Sequence, residues 1–249
     1  MEKEGQASTG GKTASLAAQV MELAYSDILI HMRFFDVALA GLHPAARPGL
    51  QGIATDGKAC YYDPVYVLQC YRQDPGMVVR CCLHMLLHCV FFHHFRYDRL
   101  DREVWDLAAD IAVEGVSLEL GLEGASLDRD REAAGALQVL KEEAGGITAE
   151  RLYRYFRQMP PSAGEKERYR KLFCRDIHTL WVPAQRLEAT EEQWKKISER
   201  VKADLKSFTR ARTGLADLEK NLEEATRDRY DYGQILRKFA VMGEDMQVN

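Results

Sequence analysis

The rest of the chain is organised around Asp74-Pro75-Gly76-Met77-Val78-Val79-Arg80-Cys81-Cys82-Leu83-His84-Met85-Leu86-Leu87-His88-Cys89-Val90-Phe91-Phe92-His93-His94-Phe95-Arg96. Asp before Pro is a helix start: the carboxylate accepts N–H groups orphaned in the first turn, and Pro at the first helical position has no N–H to lose. Nothing after Gly76 breaks a helix. The interior is apolar on nearly all sides, so this helix is buried rather than amphipathic. Into that apolar wall the sequence places His84 and His88, four residues apart and therefore on one face, one turn from each other. Two imidazoles so arranged can bind one metal ion.

The rest of the chain bounds the answer. With 249 residues, 46% of them hydrophobic and 29% charged, it reads as an ordinary globular protein of one large domain or two small ones. A net charge of −4 gives no electrostatic case for nucleic acid. No apolar run reaches a membrane span without His or Arg interrupting it, so no membrane role is expected. Met1-Glu2-Lys3-Glu4-Gly5-Gln6 has no apolar signal core, and a cytoplasmic location is expected. Six cysteines are scattered, with Cys81, Cys82 and Cys89 inside the buried helix, as reduced core thiols would be. No Cys-x-x-Cys pair occurs, which excludes a zinc ribbon. Gly10-Gly11-Lys12-Thr13 imitates a phosphate-binding loop, but Gln6 stands where the first glycine is required and no strand precedes it.

In chain order, residues 1–13 read as a disordered N-terminus. Leu16, Val20, Leu23, Ala24 and Ile28 predict a core-packed helix from about Ala14 to Phe34. Phe35 to Leu42 reads as a strand. Ile53-Ala54-Thr55, the pair Asp56-Gly57, and Lys58 to Tyr62 read as a hairpin. Asp63-Pro64 caps a short helix to about Tyr71. After the central helix, Asp101 starts another, to about Leu120, on which Asp106, Asp110 and Glu114 share a face. Residues 121–146 read as a surface excursion. Thr148 caps a helix to Phe156, and Met159 to Lys166 reads as a Pro/Gly loop. Cys174 to Trp181 has no clear period yet gathers Asp176, His178 and Trp181. Thr190-Glu191-Glu192-Gln193 is a capping box for a helix to about Thr209. Gly214 to about Val241 completes a helical C-terminal third, and there are no internal repeats.

The candidate site follows from helix geometry. At about 100° per residue His93 lies opposite His84, and His94 roughly 80° off its face. A third ligand must come from elsewhere, and Asp110 is chosen because it lies in the next buried helix. Three protein ligands and an open position are the catalytic zinc pattern. Glu114, one turn on, is placed to orient a ligand histidine. The alternative is a metal-free network in which His84 and His88 satisfy the buried acids. His93 and His94 are expected at the surface or capping the helix C-terminus, and Asp176 and His178 as loop contacts near the site. Asp106 is expected nearby, and Met85 in the core.

His84 to His88, the following His93-His94 with Arg96, and Trp105 to Asp110 resemble the metallopeptidase-related domain that precedes a von Willebrand factor A-like domain in bacterial proteins often encoded beside MoxR-type AAA+ ATPases. Thr55-Asp56-Gly57, Thr148 to Phe156, the Asp176/His178/Trp181 stretch, and Asp231-Tyr232 through Leu236 to Phe239 are also similar to it. The resemblance spans roughly residues 14 to 245, and the order of the motifs carries it. It implies a zincin-like fold: α+β, mainly helical, with a small antiparallel or mixed sheet and a buried histidine-bearing helix, taken here as residues 14–208. Residues 209–249 are then a helical segment leading to an absent von Willebrand A-like domain, as in a truncated form. It also implies zinc on His84 and His88, with Asp110 as third ligand.

Two departures matter. Members of the family with peptidase character have Glu where Met85 stands, and commonly Asn where Glu114 stands. In a zincin that Glu takes the proton of the metal-bound water, and losing a general base typically costs ~10²–10⁴ in rate. A thioether takes no proton near neutral pH. The expectation is therefore an inactive metallopeptidase-like domain, acting as a metal-binding or structural module that docks an AAA+ ATPase or a client protein. The alternatives are a zinc-dependent hydrolase using Glu114 as base, and a metal-free scaffold.

Overall fold

The computed structural model of the chain describes residues 2–96, 100–181, 188–209 and 214–226. It is mainly helical with one small sheet. The helices are α1 (Glu2–His31), α2 (Asp36–Ala40), α3 (Pro64–Gln73), α4 (Pro75–Val90), α5 (Arg102–Leu120), α6 (Asp130–Glu143), α7 (Ala149–Gln158), α8 (Ala163–Phe173), α9 (Glu188–Thr209) and α10 (Ala216–Thr226). The strands are β1 (His43–Ala46), β2 (Ile53–Thr55) and β3 (Ala59–Tyr62), in the order β1-β3-β2. β3 pairs parallel with β1 and antiparallel with β2, so the sheet is mixed. Among the described residues no helix is long and apolar enough to cross a membrane.

α4 is the central element. The Asp74 carboxylate accepts from Gly76 N at 2.9 Å, and every residue from Val78 to Val90 is buried. Its last turn is closed from outside, where Ser198 Oγ on α9 donates to Val90 O at 2.7 Å. α1, α3, α5 and α9 pack around it. A second apolar cluster joins Trp105 and Ile111 of α5 to Leu137, Leu152, Phe173 and Trp181. Val113, Val116 and Leu120 of α5 belong instead to the cluster around α4. α5 therefore straddles two cores, and its acidic face lies at their seam.

Several sequence expectations need correction. Phe35 to Leu42 is not a strand: Phe35, Ala38, Leu39 and Leu42 are buried at helical spacing, and α2 forms there. The apolar run fits either period, and packing selects the helical one. The helix expected from Ala14 begins at Glu2, upstream of that start; no Pro stands in the way. Residues 121–146 hold α6, which buries Ala133, Ala136, Leu137 and Leu140 on one stripe beneath its charged surface. The Pro/Gly loop is cut short at Ser162, which forms a capping box with Glu165 and starts α8. The capping box read at Thr190 lies inside α9 rather than at its start. The Asp231 to Phe239 stretch lies outside the described residues.

The turn between β2 and β3 is wider than a two-residue hairpin, since Thr55 pairs with Cys60. The Asp56 carboxylate accepts from Lys58 N and Ala59 N, and Gly57 N donates to Thr55 Oγ1. Gly57 sits at φ 82, and Trp194 Nε1 donates to its carbonyl at 2.6 Å. A Cβ there would collide with His94 Nε2. Gly57→Ala is expected to destabilise the protein by about 2–4 kcal/mol, combining left-handed strain with overpacking against a buried ring. Urea unfolding measures it, and a loss well under ~1 kcal/mol would show the turn to be slack.

Candidate metal centre

Three parts of the chain meet at the seam between the two cores. α4 supplies His84 and His88, both fully buried. α5, capped by Asp101, supplies Asp110 and Glu114 from the face read in the sequence. The segment after α8 supplies Asp176 and His178. That segment is fixed to the sheet by Ile177 N, which donates to Ile53 O at 2.8 Å on β2.

One donor atom each from His84, His88, Asp110 and Asp176 lies within 4.8 Å of the others. The two Nε2 atoms are 2.9 Å apart. Asp110 Oδ1 is 3.2 Å from each of them, and Asp176 Oδ1 is 3.5 Å from His84 Nε2 and 3.9 Å from His88 Nε2. Tetrahedral zinc with bonds of about 2.0–2.1 Å has ligand atoms roughly 3.3 Å apart, so these separations bracket what the ion needs.

The chemistry of the donors also asks for a cation. His84 Nδ1 faces Glu114 Oε1 at 2.9 Å, which places a proton on Nδ1 by hydrogen-bond logic. In the neutral ring, Nε2 then points a lone pair at two carboxylates. Asp176 Oδ2 is buried with no hydrogen-bond partner among the described residues. Without a metal, a proton takes that place. Burial alone would lower the His84 imidazole, but its hydrogen bonds to Asp110, Asp176 and Glu114 raise it to about 10. Burial pushes His88 down to about 4, against the pull of Asp176 and Asp110. The pair thus holds one proton across the neutral range. Burial opposes ionisation of Asp110, yet His178, His84 and His88 keep its carboxyl well below the usual range. Asp176 is lowered in the same way, chiefly by His178 and His88 against burial.

A second layer holds these donors. Glu114 accepts from Arg80 Nε at 3.1 and 3.2 Å and from Arg80 Nη2 at 3.1 Å, and Arg175 Nη2 lies 3.4 Å from Oε2. Burial would raise the Glu114 carboxyl, but the His84 hydrogen bond and the Arg80 charge bring it down to about 2. His178 Nε2 is 3.0 Å from Asp176 Oδ1 and 3.1 Å from Asp110 Oδ1, and its Nδ1 is 3.2 Å from Asp106 Oδ1. Its ring stacks on Trp181 at 3.6 Å. Burial works against its charge, but Asp176 and Asp110 raise the imidazole well above its usual value.

The structure thus brings His84, His88 and Asp110 together, sets Glu114 behind His84, and puts Asp106 against His178. Met85 is fully buried in the apolar cluster around α4. Two expectations are corrected. Asp176 is more than a loop contact, because the fold pins its segment to β2 and brings it among the donors, while His178 lies beside them, near the site as expected; the visible signal was an Asp, a His and a Trp gathered in an aperiodic stretch. His93 and His94 are 1% and 0% exposed rather than at the surface. α4 stops at Val90, and Phe92 at φ 62 turns the chain back, so the continuous-helix geometry does not reach them. Sequence reading also missed Arg80 and Arg175; the signal for Arg80 was a lone charge in an apolar helix, one turn before His84.

No curated protein and no solved structure matches the chain. A family model does, over residues 18–246, and its description is "Putative metallopeptidase domain". The match takes in both histidines of α4, the acids of α5 and the Asp176 segment, and the chain belongs to that family.

Proposed function

We propose that this domain is a proteolytically inactive metallopeptidase relative whose buried zinc site is structural, and that it works in the cytoplasm as an interaction module. One observation carries the reading: donor atoms of His84, His88, Asp110 and Asp176 lie within 4.8 Å of one another, and the residue after His84, where the family resemblance puts the general base, is a buried methionine. Structural zinc sites are closed by four protein ligands, whereas catalytic ones keep an open position. Zinc bound there supplies Lewis-acid charge and a cross-link between α4, α5 and the Asp176 segment. The chain's own residues do the rest. Glu114 holds the His84 ring, and Arg80 and Arg175 hold Glu114.

A zincin-like arrangement is supported by the histidine-bearing helix and by a small sheet whose edge strand, β2, holds the ligand segment. The partner class, an AAA+ ATPase or its client, is supported by the resemblance to domains that precede von Willebrand A-like domains, which is analogy rather than site chemistry.

A second reading, a zinc-dependent hydrolase, is favoured by His178, a partly buried imidazole backed by Asp106 and facing both aspartates. Glu114 is a poor base for it, since it faces the far edge of the His84 ring and two arginines hold it. Elemental analysis together with a chelator-controlled peptidase assay on unfolded casein separates the readings. We expect about one zinc per chain and no chelator-sensitive cleavage. Cleavage abolished by chelator and by His178→Gln would establish the hydrolase instead, and absence of metal after zinc is offered would leave only the hydrogen-bonded network.

A further inference from the structure

We propose that His93 is the positioning residue for His88, an imidazole that does for one ligand what the Glu114 carboxylate does for the other. The inference deepens the metal-centre reading and rests on it.

The backbone makes the contact possible. On a continued helix His93 would point away from the His84 face. Instead α4 ends at Val90, Phe92 takes a left-handed conformation at φ 62, and His93–Phe95 form a tight turn that folds the ring back onto α4. A non-glycine residue at positive φ is uncommon, and the surrounding packing must hold it there. Here the packing is visible: Phe91 and Phe92 are buried in the apolar cluster around α4. Trp105 of α5 donates from Nε1 to His93 O at 3.0 Å and sets its ring edge-on to the His93 ring, centroids 5.7 Å apart. His93 is therefore held by α4 and α5 without help from a metal.

The ring-to-ring geometry then fixes a tautomer. His88 Nδ1 and His93 Nδ1 are 3.0 Å apart, and one proton lies between them. His88 Nε2 is the atom that joins the donor cluster, so its lone pair points inward and the ring carries its proton on Nδ1. That proton is donated to His93 Nδ1, and His93 carries its own on Nε2. Metal-ligating histidines generally give their outer N–H to a carboxylate, a carbonyl or water. Here the acceptor is a second, neutral imidazole. The two ligands are thus supported unequally, His84 by an anion and His88 by a neutral ring.

The test measures zinc affinity of the whole chain by competition with a chromophoric chelator, and the visible absorption of the cobalt-loaded protein. His93→Phe keeps a ring but removes the acceptor; His93→Asn puts a carbonyl oxygen near the place of Nδ1. Losing an outer partner typically costs 10–100-fold in metal affinity. We expect that loss, with an altered cobalt spectrum, in His93→Phe and recovery of most of it in His93→Asn. Unchanged affinity in His93→Phe, or equal loss in both variants, overturns the proposal. Nitrogen-15 NMR of the zinc-loaded wild type needs no variant: His88 protonated on Nδ1 supports the proposal, and protonation on Nε2 overturns it. Failure of the wild type to bind zinc or cobalt removes the metal centre and this inference together. If zinc is bound and lost in His84→Ala while His93→Phe binds normally, the inference alone fails.

Discussion

His84→Ala is expected to abolish zinc binding. Binding free energies of about 10–16 kcal/mol for structural zinc, spread over four ligands, put each ligand at roughly 3 kcal/mol, on the order of 10²–10³-fold in affinity. This ligand should be at the upper end. Its ring also closes the contact to Glu114 and separates the carboxylates of Asp110 and Asp176. Removing it leaves two buried aspartates with less positive charge between them, which opposes any compensating movement. Protein purified without a metal affinity column is expected to carry about one zinc per chain, and the variant almost none. A variant that kept a full complement would move the site away from α4. Proton competition gives the same site a pH signature. In the metal-free pair His84 holds its proton up to about pH 10, and His88 has lost its own above about pH 4. Between roughly pH 5 and 9, zinc therefore displaces one proton. Raising the pH removes the competitor, so the apparent Kd should fall tenfold per pH unit.

What could be read from the sequence was local. Asp74-Pro75 announces α4, the His84/His88 spacing announces a shared face, and the spacing of Asp106, Asp110 and Glu114 announces an acidic face on α5. Each is a statement about one helix, and helical periodicity suffices for it. What escaped the sequence depended on tertiary packing. No residue between Val90 and His93 is a helix breaker, so the end of α4 at a left-handed Phe92 has no local signal, and with it went the placement of His93. Asp176 arrives because Ile177 pairs with Ile53 on β2, a contact between distant segments that no spacing encodes. α6 and α8 were missed for a different reason. Ala133 and Ala136 are small enough to look like surface residues although they line a buried stripe, and Pro160-Pro161 drew attention from the Ser162–Glu165 box that starts α8. The overlooked elements are those on which the placement of Asp176 and the support of α5 depend.

Arg80→Met is expected to destabilise the fold by about 3–5 kcal/mol, the range for breaking a buried ion pair by removing one partner. Arg80 is 2% exposed and Glu114 fully buried. Its guanidinium makes the bidentate contact with Glu114 and also reaches Ala125 O at 3.3 Å and Asp130 Oδ1 at 3.4 Å. Methionine fills similar volume but leaves the carboxylate to Arg175 and His84. A charge effect and a packing effect are separable here. In Arg80→Met/Glu114→Gln the uncompensated charge is gone, so the double variant should be more stable than the sum of the single losses predicts, by about 1–3 kcal/mol of coupling. Acid gives an independent check. The Glu114 carboxyl lies at about 2 in the folded protein, against 4.5 for an ordinary glutamate; the difference corresponds to about 3 kcal/mol. A carboxyl lowered by folding contributes stability that is fully present above pH 4.5 and lost as the pH falls toward 2. Without Arg80 the folded value moves back toward 4.5, and the variant has less of this contribution to lose. The stability gap between wild type and Arg80→Met, measured by urea unfolding at stepped pH, should therefore be widest above pH 5 and narrow below 4.5. A gap that stayed constant down to pH 3 would mean that Arg80 acts through packing alone, and that Glu114 does not depend on it for its charge.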